Sequence, residues 1–184
     1  MSKNLKGLFT GLLLALSASC AQDAQAQRIA LKTNLIDWAT LTPNLTMEAR
    51  VSRRISLQLG VAANPFNFPV FNTTWRNYRI EPEMRYWFNR PMARHFIALS
   101  GTAAAFDFTH ADRHINGDAV GAGLSYGYAL VLSNHWNVEF EVGAGVAHAS
   151  AYDYTGDTKP EQKNISRFYV VPMRLGISFS YIFK

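Results

Sequence analysis

His148-Ala149-Ser150 sets an imidazole two residues from a hydroxyl, the pair that a hydrolase would use as base and nucleophile. Residues two apart on a strand share a face, and this pair shares one with Val142, Ala144 and Val146. The chemistry also needs a carboxylate to orient the imidazole. Glu161 is far along a connection, and Glu139 and Glu141 fall on the opposite face. A second constellation, His110-Ala111-Asp112-Arg113-His114 with Asp107 and Asp118 nearby, offers two imidazoles and three carboxylates to zinc or another divalent ion. The competing readings are plainer: an interfacial histidine at His148, and a solvated stretch in which Arg113 offsets a carboxylate. Neither enzymatic activity nor a metal or cofactor is expected.

Charges placed at every second position carry more. From Tyr78 to Phe88 the residues Tyr78, Ile80, Pro82, Met84, Tyr86 and Phe88 occupy one face of a strand, with Arg79, Glu81, Glu83 and Arg85 on the other. The same split recurs in Leu45, Met47, Ala49 and Val51 against Thr46, Glu48 and Arg50. It recurs again in Val138, Phe140 and Val142 against Glu139, Glu141 and Gly143. Tyr169, Val171, Met173, Leu175, Ile177, Phe179, Tyr181 and Phe183 read as the clearest apolar face. The polar faces together hold Lys32, Arg50, Arg79, Arg85 and Arg174 against Glu48, Glu81, Glu83, Glu139 and Glu141, a balanced set. Buried charges are tolerated when paired and hydrogen-bonded, and side chains can fill an eight-stranded barrel. A neutral ionic plug is expected, not a pore.

Eight strands must position these groups: 28–38, 44–52, 55–64, 77–88, 95–106, 119–132, 136–150 and 167–183. The connections 53–54, 89–94 and 133–135 are tight, and 65–76, 107–118 and 151–166 are long. After the first, short and long alternate, as in outer-membrane barrels with short periplasmic turns and longer external loops. The fold class expected is an all-β, eight-stranded antiparallel up-and-down transmembrane β-barrel. Trp38, Trp75, Phe106, Phe108, Tyr152, Tyr154 and Phe168 would form its outer aromatic girdle, with Tyr86, Trp87, Phe88, Trp136, Tyr181 and Phe183 forming the inner one.

Targeting agrees with this. Lys3 and Lys6, an apolar run over 8–18 and Ala24-Gln25-Ala26 form an export signal over 1–26, leaving a barrel over 27–184 that starts at Gln27. Cys20, the only cysteine, is either discarded with that signal or lipidated. No later run reaches the roughly 20 apolar residues of a transmembrane helix. Removing 1–26 lowers the formal charge from +5 to +4, too mild to argue for nucleic acid. Charged residues make up 17% of the chain, below the roughly 25% of average soluble proteins. That deficit argues against a soluble lipocalin-like barrel, whose exterior would need charge.

Arg174-x-Gly176-x-x-Phe179-x-Tyr181 resembles the signal by which barrel-insertion machinery recognises its clients. Leu31-Lys32-Thr33-Asn34-Leu35, Thr42-Pro43-Asn44, Glu81-Pro82-Glu83-x-Arg85-Tyr86-Trp87-Phe88, Ser125-Tyr126-Gly127-Tyr128 and the tail from Gly176 to Lys184 follow in order along the chain. This set resembles a domain-of-unknown-function family of small Gram-negative outer-membrane β-barrels. Phe66 stands where related chains often carry Trp. The resemblance implies an envelope setting near fimbrial components and defines no catalytic residues. His148-x-Ser150 is similar to the His-x-Ser of lipid A deacylases, which keeps a lipid-modifying enzyme as an alternative. Outer-membrane lipid, the insertion machinery and envelope or fimbrial proteins are the expected partners. The loops, with Phe66, Phe68, Phe71 and Trp75 in one and Tyr152, Tyr154, Gly156, Lys159 and Lys163 in another, are the expected working surface.

Overall fold

The computed structural model describes residues 28–65, 73–110, 112–156 and 160–183. The export signal at 1–26 with Cys20, the start at Gln27, and Phe66, Phe68, Phe71 and Lys159 lie outside the described residues. Eight strands close into an up-and-down barrel: β1 (Ile29–Asn34), β2 (Asn44–Arg50), β3 (Ile55–Asn64), β4 (Thr73–Trp87), β5 (Arg94–His110), β6 (Arg113–Val131), β7 (Trp136–Thr155) and β8 (Ile165–Phe183). Each is antiparallel to its neighbours, and β8 returns to β1 with Ile29 opposite Phe183 and Asn34 opposite Ser178. No helix among the described residues is long and apolar enough to cross a membrane.

The alternation in the sequence becomes an inside and an outside. In β3, Ser56, Gln58 and Ala62 are buried within the ring, and Leu57, Leu59 and Val61 stand exposed on its outer wall. In β4, Glu83, Arg85 and Trp87 are buried, and Tyr78, Ile80, Met84 and Tyr86 are exposed. Most apolar side chains of these strands therefore face outward, and the charges of their cores face inward.

Four features depart from the alternating pattern. The first strand ends at Asn34, and a short helix, α1 (Leu35–Ala39), replaces the expected strand as far as Trp38. Asn34 caps it by accepting from the Ile36 N–H at 3.1 Å, with Asp37 in the first turn, where a negative charge suits the helix dipole. Strands β4 to β8 also run past their alternating cores. The stretch over 107–118 is continued hairpin, with His110 opposite Arg113, so the strict alternation of short and long connections is lost. Polar residues extend a ladder because the neighbouring strand satisfies the backbone whatever the side chains are.

A β-bulge reverses the face of half of β8. Gly143 pairs with Arg174 and Ala144 with Pro172, so Met173 is the extra residue. Below it, Leu175, Ile177 and Phe179 face outward. Above it, Phe168, Val170 and Pro172 sit opposite the outward residues His148, Val146 and Ala144. Tyr169, Val171 and Met173 thus belong to the inner face, contrary to a single apolar stripe. Met173 packs where Gly123 and Gly145 lack side chains: a Cβ on either would lie 2.6 Å from its Cγ. Parity also corrects the girdles. Trp87 is fully buried inside the ring, and Trp75, Phe106 and Phe108 share the inner side with Asn77 and Ala104.

Candidate functional site

The ring's interior is the most specifically built region. Arg85 is its centre, because its position on β4 aims it across the ring at β2 and β7. Its guanidinium hydrogen-bonds Glu83, reaches Glu139 at 2.8 Å and Glu141 at 2.7 Å, and lies 3.3 Å from Glu48. Lys32 on β1 holds Glu139 at 2.6 Å and pairs with Glu48. Arg174 on β8 bridges Glu83 at 2.8 Å and Glu81 at 2.9 Å. Arg79 bonds Asp37 of α1 at 2.7 Å and stands 3.9 Å from Glu81.

Hydroxyl groups complete the coordination. Ser56 donates to Glu48, Ser100 to Glu83 at 2.9 Å and Ser125 to Glu141 at 2.5 Å. Trp87 Nε1 donates to Ser56 Oγ at 2.7 Å. Below the ions, Trp87 and Phe96 pack at 4.6 Å between ring centres, and the Arg85 guanidinium sits 4.3 Å over Phe96. Phe96 fits because Gly127 faces it: a Cβ there would come within 2.2 Å of the ring. A second apolar cluster of Ala30, Met92 and Ile182 lies beside this layer. Above the ions a cavity of about 220 Å³ remains, bordered by Asp37, Arg79, Glu81, Glu141, Arg174 and Gly176. Charge pairs spanning five strands, backed by aromatic rings, fill the ring at this level.

Nine of the ten expected network residues meet here. The exception is Arg50, whose Nε bonds the Ser52 carbonyl at 3.0 Å beside a tight turn. It sits at the end of its strand, where the turn backbone is the nearer acceptor. Asp37 takes part instead, and sequence reasoning missed it by extending the strand. The signal was available in the Asn34-x-x-Asp37 spacing of a capped helix start. The network therefore holds four cations (Lys32, Arg79, Arg85, Arg174) against six carboxylates (Asp37, Glu48, Glu81, Glu83, Glu139, Glu141), not a balanced five and five. The roles of Ser56, Ser100, Ser125 and Phe96 carry no motif and emerge only from cross-ring proximity.

The remaining candidates are dispersed. His148 Nε2 lies 3.1 Å from Ser166 Oγ, and the His148 ring packs on Phe168 at 4.8 Å. Ser150 stands across the ladder from Ser166, and Glu139 and Glu141 are engaged inside the ring. At the β5–β6 turn, His114 Nδ1 is 3.0 Å from Thr109 Oγ1 and its ring stacks on Tyr154, while the His110 ring stacks on Phe108. The Asp112 carbonyl accepts from the Gly156 N–H at 2.9 Å. Among the described residues no three His, Cys, Asp or Glu side chains gather as metal ligands. Arg113 grips Asp153 with two bonds of 2.9 and 2.6 Å, which hold that carboxyl below its ordinary range.

Of the expected insertion signal, Arg174 and Gly176 face inward, while Phe179 and Tyr181 face outward and pack on Trp136 at 4.7 and 4.8 Å. Trp75, expected in a binding loop, is in β4, edge-on to Phe108 at 5.6 Å. The family model described as Protein of unknown function (DUF3575) matches residues 10–183. No curated protein matches the chain.

Proposed function

The chain belongs to this DUF3575 family, and we propose that it is an outer-membrane β-barrel with a closed ionic interior that acts as a structural or surface-interaction protein. The observation that carries the reading is the outer wall. Leu45, Met47, Leu57, Leu59, Val61, Tyr78, Ile80, Met84, Ile97, Leu99, Leu124, Val142, Leu175 and Ile177 all stand exposed on consecutive strands. Soluble monomers rarely expose contiguous apolar patches beyond a few hundred Å², whereas a bilayer would cover this band. The export signal over 1–26, the terminal aromatic pattern and the aromatic cluster of Trp136, Phe179, Tyr181 and Phe183 at one end support the same orientation. Residues at that end would meet the periplasm and those at the other the exterior.

The ionic layer resists flow because moving it aside would separate several buried pairs at once. Conduction is not its role. Outer-membrane lipid and the insertion machinery are the necessary partners, with envelope or fimbrial proteins as the exterior ones. Fractionation tests the reading. The chain should stay with outer membranes through carbonate and urea washes, need detergent for release, and migrate differently in SDS before and after boiling. Recovery in plain buffer, or stable large conductance steps in planar bilayers, would contradict it.

A further inference from the structure

The strands of this barrel are unequal in length. β1 has 6 residues and β2 has 7, but β8 has 19. β1 stops opposite Ser178, and the Asn34 side chain extends the pairing only slightly, donating to the Leu175 carbonyl at 3.4 Å and accepting from the Ile177 N–H at 3.3 Å. Above that point β8 is laddered to β7 alone, and no described strand lies on its other side. The direction of its backbone groups follows from alternation. The Ile182 N–H bonds His135 on the β7 side, the Ile177 N–H faces Asn34, and the bulge at Met173 shifts the phase by one. The N–H groups of Ser166, Phe168 and Val170 and the carbonyls of these residues and Pro172 therefore point away from β7 into the gap.

This edge lacks the short length that protects natural edge strands, and Arg167 is its one charged residue. Ser166, Arg167, Phe168, Tyr169 and Val170 are exposed in succession, Phe168 at 74% and Val170 at 83%. Pro172, which lacks an N–H, and the Asn34 cap close its lower end. At roughly 2.3 to 2.7 Å of height per residue for a tilted strand, Val170 stands about one hydrocarbon thickness above Tyr181, at the outer boundary.

We propose that the outer half of β8 is an acceptor edge for an extended segment of a different polypeptide, which adds as a strand beside Ser166, Phe168 and Val170. This rests on the membrane reading above. Geometry excludes the symmetric pairing of two β8 edges. Two barrels in one membrane share an up direction, so a two-fold axis along the bilayer normal makes the two β8 edges run the same way, crossed by about twice the strand tilt of roughly 35–45°. Strands crossed so steeply cannot form a ladder. A segment from another chain has no such constraint. Its backbone supplies the hydrogen bonds, alternate apolar side chains meet Phe168 and Val170, and an acidic residue fits opposite the exposed Arg167.

The test uses the full chain in lipid vesicles and a fluorescent nine-residue peptide of alternating Val and Thr with one Glu, read by anisotropy. The peptide should bind, and methylating its alternate backbone nitrogens should weaken binding at least tenfold. Val170→Pro, which removes one edge N–H, should weaken binding about tenfold in barrels that keep the wild-type gel shift. Arg167→Glu should reverse the preference between this peptide and its Lys counterpart. Absence of binding, equal binding of the methylated peptide, or indifference to both substitutions would overturn the acceptor edge. Disulfide-linked dimers of Phe168→Cys in dilute vesicles would overturn the choice of partner. Detergent-dependent extraction is measured separately, so a failed edge leaves the membrane reading standing, and a failed extraction is recognised as its own result.

Discussion

Replacing Arg85 with Leu is the sharpest perturbation of the ionic interior. The guanidinium is 2% exposed and contacts Glu48, Glu83, Glu139 and Glu141. Leu retains much of the volume against Phe96 but removes the one cation shared by all four carboxylates. Glu139 keeps Lys32 and Glu83 keeps Arg174, while Glu141 keeps only its bond from Ser125. Removing one partner of a buried pair costs about 3–5 kcal/mol, and four affected carboxylates put Arg85→Leu at the upper end of that range. Against the 5–15 kcal/mol typical of a domain, this is a third or more of the total. Arg85→Lys should recover part of the loss, because an ammonium supplies the charge but cannot fork to partners on β2, β4 and β7 at once.

The assay is reversible urea unfolding in detergent or vesicles, followed by tryptophan fluorescence, to which the fully buried indole of Trp87 contributes. Glu141→Gln added to Arg85→Leu should be more stable than Arg85→Leu alone, because it removes the least-compensated charge, and the two substitutions should couple by more than 1 kcal/mol. Raising salt from 0.05 to 0.5 M should leave the wild-type interior unchanged, since screening acts mainly on exposed charges. A loss below about 1 kcal/mol for Arg85→Leu, or simple additivity with Glu141→Gln, would refute the idea that these charges are buried and interdependent.

Three further outcomes follow from packing and capping. Gly127→Ala would bring a Cβ within 2.2 Å of Phe96 and 2.8 Å of the Phe140 carbonyl; it should cost about 1–3 kcal/mol, and Phe96→Leu in the same chain should return part of that in unfolding experiments. Met173→Ala should cost about 2–4 kcal/mol by the same measurement, because it empties the space above Gly123 and Gly145. Asn34→Ala removes both the helix cap and the contacts to β8; it should cost about 0.5–2 kcal/mol and speed amide exchange at Ile177.

The sequence by itself determined which side chains share a face along most strand cores, and with them nine of the ten residues proposed for the interior network. A period of two is a local property, written in Leu57-Gln58-Leu59 or Glu81-Pro82-Glu83 without reference to any other strand. It could not reveal where ladders end, since Thr109 and His114 extend a strand only because each has the other opposite. Nor could it foresee the bulge at Met173, because an extra residue is defined by what the partner strand lacks. The exchange of Arg50 for Asp37 depended on distances around the closed ring. Tertiary structure alone decided these points, and it alone exposed the unequal strands that leave the outer half of β8 paired, among the described residues, on one side only. Pairing is a relation between two chain segments, and alternation describes one.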